Sequence, residues 1–211
     1  MTLVCFAVKE EAKPFSDYVA SRPDIQILLT GMGQRNADKS VRAALSTRRP
    51  ALVLTCGFAG ALNPDLSLGT VLFSCDDAPH LQRRFLAAGA LPARFHCANR
   101  VASTAAEKHT LWQSTYADAV EMESQIICNI CREHQIPCAT IRVVLDTASQ
   151  DLPLDFNFLM TADQQMDYRK LAFSLAKSPS KITALLRLQK QSKEAASALA
   201  EVLLKVIFGL D

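Results

Sequence analysis

Short apolar runs alternate with amphipathic stretches over most of the chain. Leu3–Val8, Ile25–Leu29, Leu52–Cys56, Thr70–Phe73, Val101–Ser103, Ala117–Val120 and Cys138–Leu145 are such runs. Runs of this length without alternation predict strands covered on both faces of a sheet. Between them lie helical patterns. Arg35–Ser46 follows the turn Gly31-Met32-Gly33 and carries Ala37, Val41, Ala44 and Leu45 on one stripe. Ser124–His134 carries Ile126, Ile127, Ile130 and Cys131 in the same way. Strands alternating with helices predict an α/β sheet joined by crossovers.

After about Leu152 the pattern becomes helical throughout. Phe156–Ala176 and Lys181–Phe208 read as helices broken at Ser178-Pro179-Ser180. Leu185, Leu188, Ser192, Ala195, Leu199, Val202 and Val206 keep helical spacing in the last one. Its other face is basic, with Lys181, Arg187, Lys190 and Lys193. A solvated face of a packed helix is the expected reading, and contact with a membrane surface is the sharper one. Cys75–Arg100 is the least regular stretch and reads as a loop-rich excursion over the sheet. The expectation is one domain over residues 1–211, with a sheet core in 1–150 and a helical segment in 151–211.

Composition adds bounds. Apolar residues make up 49% and charged residues 21%, an ordinary globular balance that excludes a disordered or low-complexity chain. The 23 basic and 21 acidic residues nearly cancel, so net charge makes no case for nucleic-acid binding. Without an apolar run of spanning length or a basic leader, a cytoplasmic protein is expected. Seven cysteines form no regular framework, which suits a reducing compartment.

Three features bear on chemistry. Glu10-Glu11 stands just past the first strand, where ligands bind in open α/β sheets, though two acids at a helix start are commonplace. Thr55-Cys56-Gly57-Phe58-Ala59-Gly60-Ala61-Leu62 runs a buried strand into small residues. Such a turn lets a ligand approach the backbone, and it equally suits a tight strand-to-helix turn. Val120-Glu121-Met122-Glu123-Ser124 leads into a helix, and Asp146 ends the next strand. Each acid alone is a routine cap. Two at consecutive element boundaries on one sheet edge form a candidate site. Cys128-x-x-Cys131 has no second pair at ligand spacing and reads as two packed cysteines. His80, His96, His109 and His134 are scattered.

Taken together, these segments resemble the nucleoside phosphorylase and nucleosidase superfamily, in particular its methylthioadenosine/adenosylhomocysteine nucleosidase branch. The matching segments are Ala7–Glu11, Thr30–Ala37, Thr55–Leu62 with Gly69-Thr70-Val71, Ala119–Ser124 and Ile141–Ala148. They occur in the family's order over about residues 3 to 150. Lys177-Ser178-Pro179 with Leu185–Leu188 and Ser192–Leu199, and Ser103–Lys108, look like the hopanoid-associated phosphorylases within it.

The resemblance implies a three-layer α/β/α sandwich with a mixed central sheet plus C-terminal helices. It implies cleavage of a purine N-glycosidic bond without a metal or organic cofactor, and a homodimer. By motif position Asp146 is the acid at the purine N7, Glu11 holds the attacking water, Glu123 takes the ribose hydroxyls and Met122 packs on the sugar. Gly57, Phe58 and Ala59 line the substrate. The chain lacks the Gly-Asp-Pro-x-Arg segment with which phosphorylases hold phosphate, so hydrolysis is expected. Gly33 and Arg35, at a helix start, are the candidates for phosphate should phosphorolysis operate instead. Departures are Leu145 in place of Ser, Phe58 in the glycine segment, and Glu107 and Lys108 where relatives set residues against the base. A degenerate pocket that binds a nucleoside without cleaving it is the alternative these departures raise.

Overall fold

The computed structural model describes residues 1–76, 78–161, 163–164, 167–178 and 180–209. Asp77 in the predicted excursion and Pro179 in the predicted helix break lie outside the described residues.

The chain runs β1 (Thr2–Phe6), α1 (Lys9–Val19), β2 (Ile25–Leu29), α2 (Gln34–Thr47), β3 (Leu52–Ala61) and β4 (Val71–Ser74). A 3-10 turn (Pro79–Leu81), α3 (Gln82–Ala87), β5 (Leu91–Pro92), β6 (Phe95–Cys97), α4 (Ala105–Thr115) and β7 (Ala119–Glu121) follow. Then come α5 (Ser124–Glu133), β8 (Cys138–Asp146), α6 (Phe156–Leu159), α7 (Tyr168–Lys177) and α8 (Ser180–Phe208). The main path of the sheet is β2-β1-β3-β8-β4-β5, with β7 joining β3 and β6 joining β7. β1, β2, β3 and β8 are mutually parallel, while β4 runs antiparallel to β8 and β7 antiparallel to β3.

Helices cover both faces. On one, Phe15 and Val19 of α1, Phe85 of α3 and Leu199, Leu203 and Val206 of α8 close over Phe6, Leu54, Phe73 and Ile141. On the other, Ala37 and Val41 of α2 and Ile127, Ile130 and Cys131 of α5 pack on Leu3, Cys5 and Val53. Each large apolar side chain buried this way contributes about 1.5–3 kcal/mol. The fold is therefore the three-layer α/β/α sandwich with a mixed sheet. The inner stripe of α8 includes Leu188, Ala195, Leu199, Val202 and Val206, and Lys181, Arg187, Lys190 and Lys193 are exposed. Among the described residues no helix is long and apolar enough to cross a membrane.

Several elements differ from the sequence pattern. Val101–Ser103 is not a strand, because its backbone is bonded elsewhere. The Asn157 side chain accepts from Val101 N and donates to Val101 O, both at 2.9 Å, and Ser103 O accepts from Leu152 N. The glycine segment does not turn into a helix, since β3 continues through it to Ala61. Among the described residues of Phe156–Ala176 there are two helices, each opened by an aspartate cap: Asp155 accepts from Phe158 N, and Asp167 from Arg169 N and Lys170 N, while Ala162, Gln165 and Met166 lie outside the described residues. The excursion 75–100 carries α3 and two short strands.

Candidate active site

Parallel strands end at the same sheet edge, and there the topology gathers the acids. β1 feeds α1, whose third residue is Glu11; β8 ends on Asp146, opposite Gly60 of β3. β7 runs back along β3, which returns Glu121 and Glu123 toward the same place. Glu11, Glu121, Met122, Glu123 and Asp146 line one large cleft together with Phe58, Ala59, Gly60 and Leu145. The structure thus brings together acids from α1, the β7–α5 junction and β8.

Glu11 is nearly fully buried, whereas Glu10 is exposed. Its Oε2 accepts from Ala7 N (2.9 Å) and Val8 N (3.2 Å), and its Oε1 accepts from Phe58 N (2.8 Å). Glu11 therefore caps its own helix and faces the cleft at once. Burial raises its carboxyl above the ordinary range, against the pull of the Phe58 N–H, Arg142 and its other backbone donors.

The glycines of β3 serve these carboxylates. A Cβ on Gly57 would stand 2.7 Å from Glu11 Oε1, and one on Gly60 would stand 3.0 Å from Asp146 Oδ2. Gly57 does not line the cleft as predicted, because the Glu11 side chain covers it. Gly57 and Gly60 make room for the protein's own carboxylates, and Ala59 and Gly60 also line the cleft.

Arg142, 1% exposed, is the cation at the centre. Its Nη2 donates to Glu121 Oε2 at 2.6 Å and to Thr55 Oγ1 at 3.2 Å, and lies 3.6 Å from Glu123 Oε2. Glu121 also accepts from Glu123 N, Ser124 N and Ser124 Oγ. Burial pushes the Glu121 carboxyl up, but Arg142 and these donors outweigh it and hold it below the ordinary range. Glu123 goes the other way. Burial, partly offset by Arg142 and reinforced by Glu121, pushes it up to about 7.

This shift has a sign that melting can test. Folded Glu123 keeps its proton where the unfolded chain, near 4.5, has lost it. The stability it contributes is full below that value and is lost as pH rises through about 7. Thermal melts of the wild type are expected to fall by several degrees between pH 5 and pH 8, and Glu123→Gln to shrink that fall. An equal fall in both proteins would contradict the assignment.

Glu123 Oε1 also accepts from Gly33 N at 2.7 Å. The Gly33 amide is already bonded, the Gln164 side chain fills the space above it, and Arg35 is exposed in a separate recess with Asn99 and Asp163.

Neither Glu107 nor Lys108 lines the cleft. Glu107 caps α4, accepting from Ser103 N, and pairs with Arg100. Lys108 is 0% exposed and turns inward, its Nζ paired with Asp146 Oδ2 and donating to Thr147 O (2.8 Å) and Gln150 O (2.7 Å). Burial raises the Asp146 carboxyl even with Lys108 opposing. The sequence pattern did not reveal that Arg142 pairs with Glu121 beside the cleft or that Lys108 pairs with Asp146. The signal for Arg142 was a charge inside an otherwise apolar strand, which cannot be buried without acid partners. Cys128 and Cys131 lie on the sheet-facing side of α5, with Cys128 Sγ 3.8 Å from Thr140 Oγ1. Among the described residues no cluster is placed to hold a metal ion.

The site is thus a group of buried carboxylates from separate elements at one edge of a three-layer sandwich. Known proteins resemble the chain in sequence and in fold. Residues 93–178 match the family model described as the phosphorylase superfamily. The 5′-methylthioadenosine/S-adenosylhomocysteine nucleosidase of Glaesserella parasuis is 25% identical over 167 residues, covering 64% of this chain and 73% of that protein. Among solved structures, the futalosine hydrolase of Helicobacter pylori has a TM-score of 0.73 at 14% identity, over 99% of this chain and 97% of that one. The Neisseria meningitidis 5′-methylthioadenosine/S-adenosylhomocysteine nucleosidase, solved in complex with methylthio-immucillin-A, has a TM-score of 0.73 at 15% identity and 99% coverage of both chains. The resemblance to the nucleoside phosphorylase and nucleosidase superfamily is borne out, and the fold is theirs.

Proposed function

We propose that the protein hydrolyses the N-glycosidic bond of a purine nucleoside or 5′-modified adenosine. The observation that carries this reading is the convergence of Glu11, Glu123 and Asp146 on one cleft. Breaking the bond leaves positive charge on the sugar and negative charge on the departing base. Glu123 accepts hydrogen bonds from the ribose hydroxyls, and these strengthen as the ring becomes cationic. Met122 packs on the sugar. Glu11, pre-aimed by three backbone N–H groups, orients the attacking water and takes its proton, and its raised pKa makes it a better base than an ordinary carboxylate. Asp146 delivers a proton to the base so that it leaves neutral.

Hydrolysis is favoured over phosphorolysis on electrostatic grounds. The cations beside the acids, Arg142 and Lys108, are buried and already directed at protein acceptors. The Gly33 amide is taken by Glu123. At the acids a phosphate would meet Glu11, Glu123 and Asp146, and Arg100 and Lys13, which also line the cleft, are paired with Glu107 and Asp17. Against the non-catalytic reading stands the placement of two of the residues that raised it, since neither Glu107 nor Lys108 lines the cleft.

The cleft also supports a finer reading of the substrate. Beyond the acids it continues between Tyr18, Leu152, Phe156, Leu171, Leu185 and Leu204. Its volume of about 1590 Å³ exceeds the 300–1,000 Å³ of ordinary small-ligand pockets. A bulky apolar 5′ substituent, as in adenosyl-hopane-type conjugates, fits that arm.

A mass-spectrometric screen of purine nucleosides, adenosylhomocysteine and apolar adenosyl conjugates, with and without phosphate, tests this. Free base and ribose product at equal rates in both conditions is expected, with the apolar conjugates preferred. Product only with phosphate would overturn hydrolysis, and preference for unsubstituted nucleosides would overturn the apolar arm.

A further inference from the structure

We propose that Lys108 and Asp146 form a proton-holding dyad, in which Lys108 is a positioning residue that supplies through Asp146 the proton taken by the leaving base. The inference deepens the glycosidase reading above and rests on it.

The geometry carries the argument. An ammonium has three N–H donors and no acceptor, and Lys108 Nζ meets three acceptors: Asp146 Oδ2, Thr147 O and Gln150 O. A neutral amine there would turn its lone pair toward an oxygen, so the site is built for the charged form. Asp146 therefore rests as a carboxylate, with its proton stored one bond behind it. Asp146 lines the cleft and Lys108 does not, so any proton from Lys108 reaches a ligand through Asp146.

The step balances. The C1′–N9 bond breaks and its electron pair goes to the purine. N7 bonds a proton from Asp146, and Asp146 takes one from Lys108 Nζ. Water bonds to C1′ and loses its proton to Glu11. Glu11 then releases that proton to solvent, and solvent in the emptied cleft returns one to Lys108 through Asp146.

On and beside α4, Glu107 faces Arg100, and Asp151 accepts from Ala105 N. Across the cleft, Glu121 and Glu123 are directed at Arg142, and Glu11 is held by backbone donors.

The alternative role for Lys108 is a fixed counter-charge, and pH profiles separate the two. Removing a counter-charge leaves burial alone to act on Asp146, so the acid stays protonated to higher pH and the alkaline limb of kcat/KM moves up. Removing a proton store leaves only the proton Asp146 itself retains, so the alkaline limb moves down. Kinetics of the wild type, Lys108→Met and Lys108→Arg on the best substrate of the screen decide this.

The dyad predicts a wild-type rate that stays level from about pH 7.5 to 9. For Lys108→Met it predicts near wild-type kcat/KM at about pH 6 and at least a tenfold deficit at pH 9, since one pH unit past a pKa costs about tenfold. Lys108→Arg keeps the charge but yields no proton, and is expected to show low kcat at every pH. A wild-type alkaline fall beginning below pH 7, an upward-shifted limb in Lys108→Met, or full activity in Lys108→Arg overturns the dyad and leaves the glycosidase reading standing. The wild-type arm decides even if a variant does not fold. No turnover by the wild type on any substrate would overturn both.

Discussion

Asp146→Asn is expected to lower kcat by about 10²–10⁴-fold with KM changed only a few-fold, because general acid catalysis contributes on that scale. The amide keeps the shape of the carboxyl and still accepts a hydrogen bond. It holds no transferable proton. The base must then leave with its negative charge, and the barrier rises while substrate binding is largely spared. The change also removes the counter-charge of a lysine that is 0% exposed. Loss of a charged hydrogen-bond partner costs about 1.5–3 kcal/mol, tempered here by the two carbonyls that Lys108 retains. Steady-state kinetics beside a thermal melt separate the two effects. A folded variant turning over within threefold of wild type would remove Asp146 from the chemistry.

Arg142→Met is expected to cost about 3–5 kcal/mol of stability, the scale for removing one partner of a buried ion pair. On a chain of this size that lowers Tm by on the order of 10 °C. The reason is the company Arg142 keeps. Glu121, Glu123 and Glu11 are all buried, and all feel its charge. Without it, burial dominates and the carboxyls keep protons to higher pH. The sign of the pH dependence follows. In the wild type the depressed pKa of Glu121 contributes stability above the ordinary carboxylate range that is lost as pH falls through its folded value. In the variant that contribution is gone and the acids are easiest to bury when protonated. Denaturant titrations should therefore show the deficit larger at pH 8 than at pH 5. A deficit independent of pH would point to lost packing instead.

How much of this was legible in the sequence varies by element. β1 and β8 and the helices α2, α5 and α8 were readable because burial on two faces or along one stripe writes itself as an apolar period, whereas β2, read the same way, is an edge strand with Gln26 and Leu29 exposed. Glu11 and Asp146 were readable only as acids at element ends, a position that capping explains as well. Val101–Ser103 misled because an apolar triplet says nothing about where its backbone bonds go, and here they go to Asn157 and Leu152. Gly57 and Gly60 signalled close approach, but not that the approaching groups are Glu11 and Asp146. Glu107 and Lys108 read as a damaged base site, yet one caps a helix and the other points into the core.

By itself, then, the amino-acid order determined the periods, the layers and the kinds of charged residue that end the strands, since these depend on spacing along one chain. Only the tertiary structure decided which charge faces which: Arg142 against Glu121 and Glu123, Lys108 behind Asp146, Glu11 over Gly57. Such pairings join residues from different elements across the sheet, and their strength depends on burial and distances of a few ångströms that no linear pattern records.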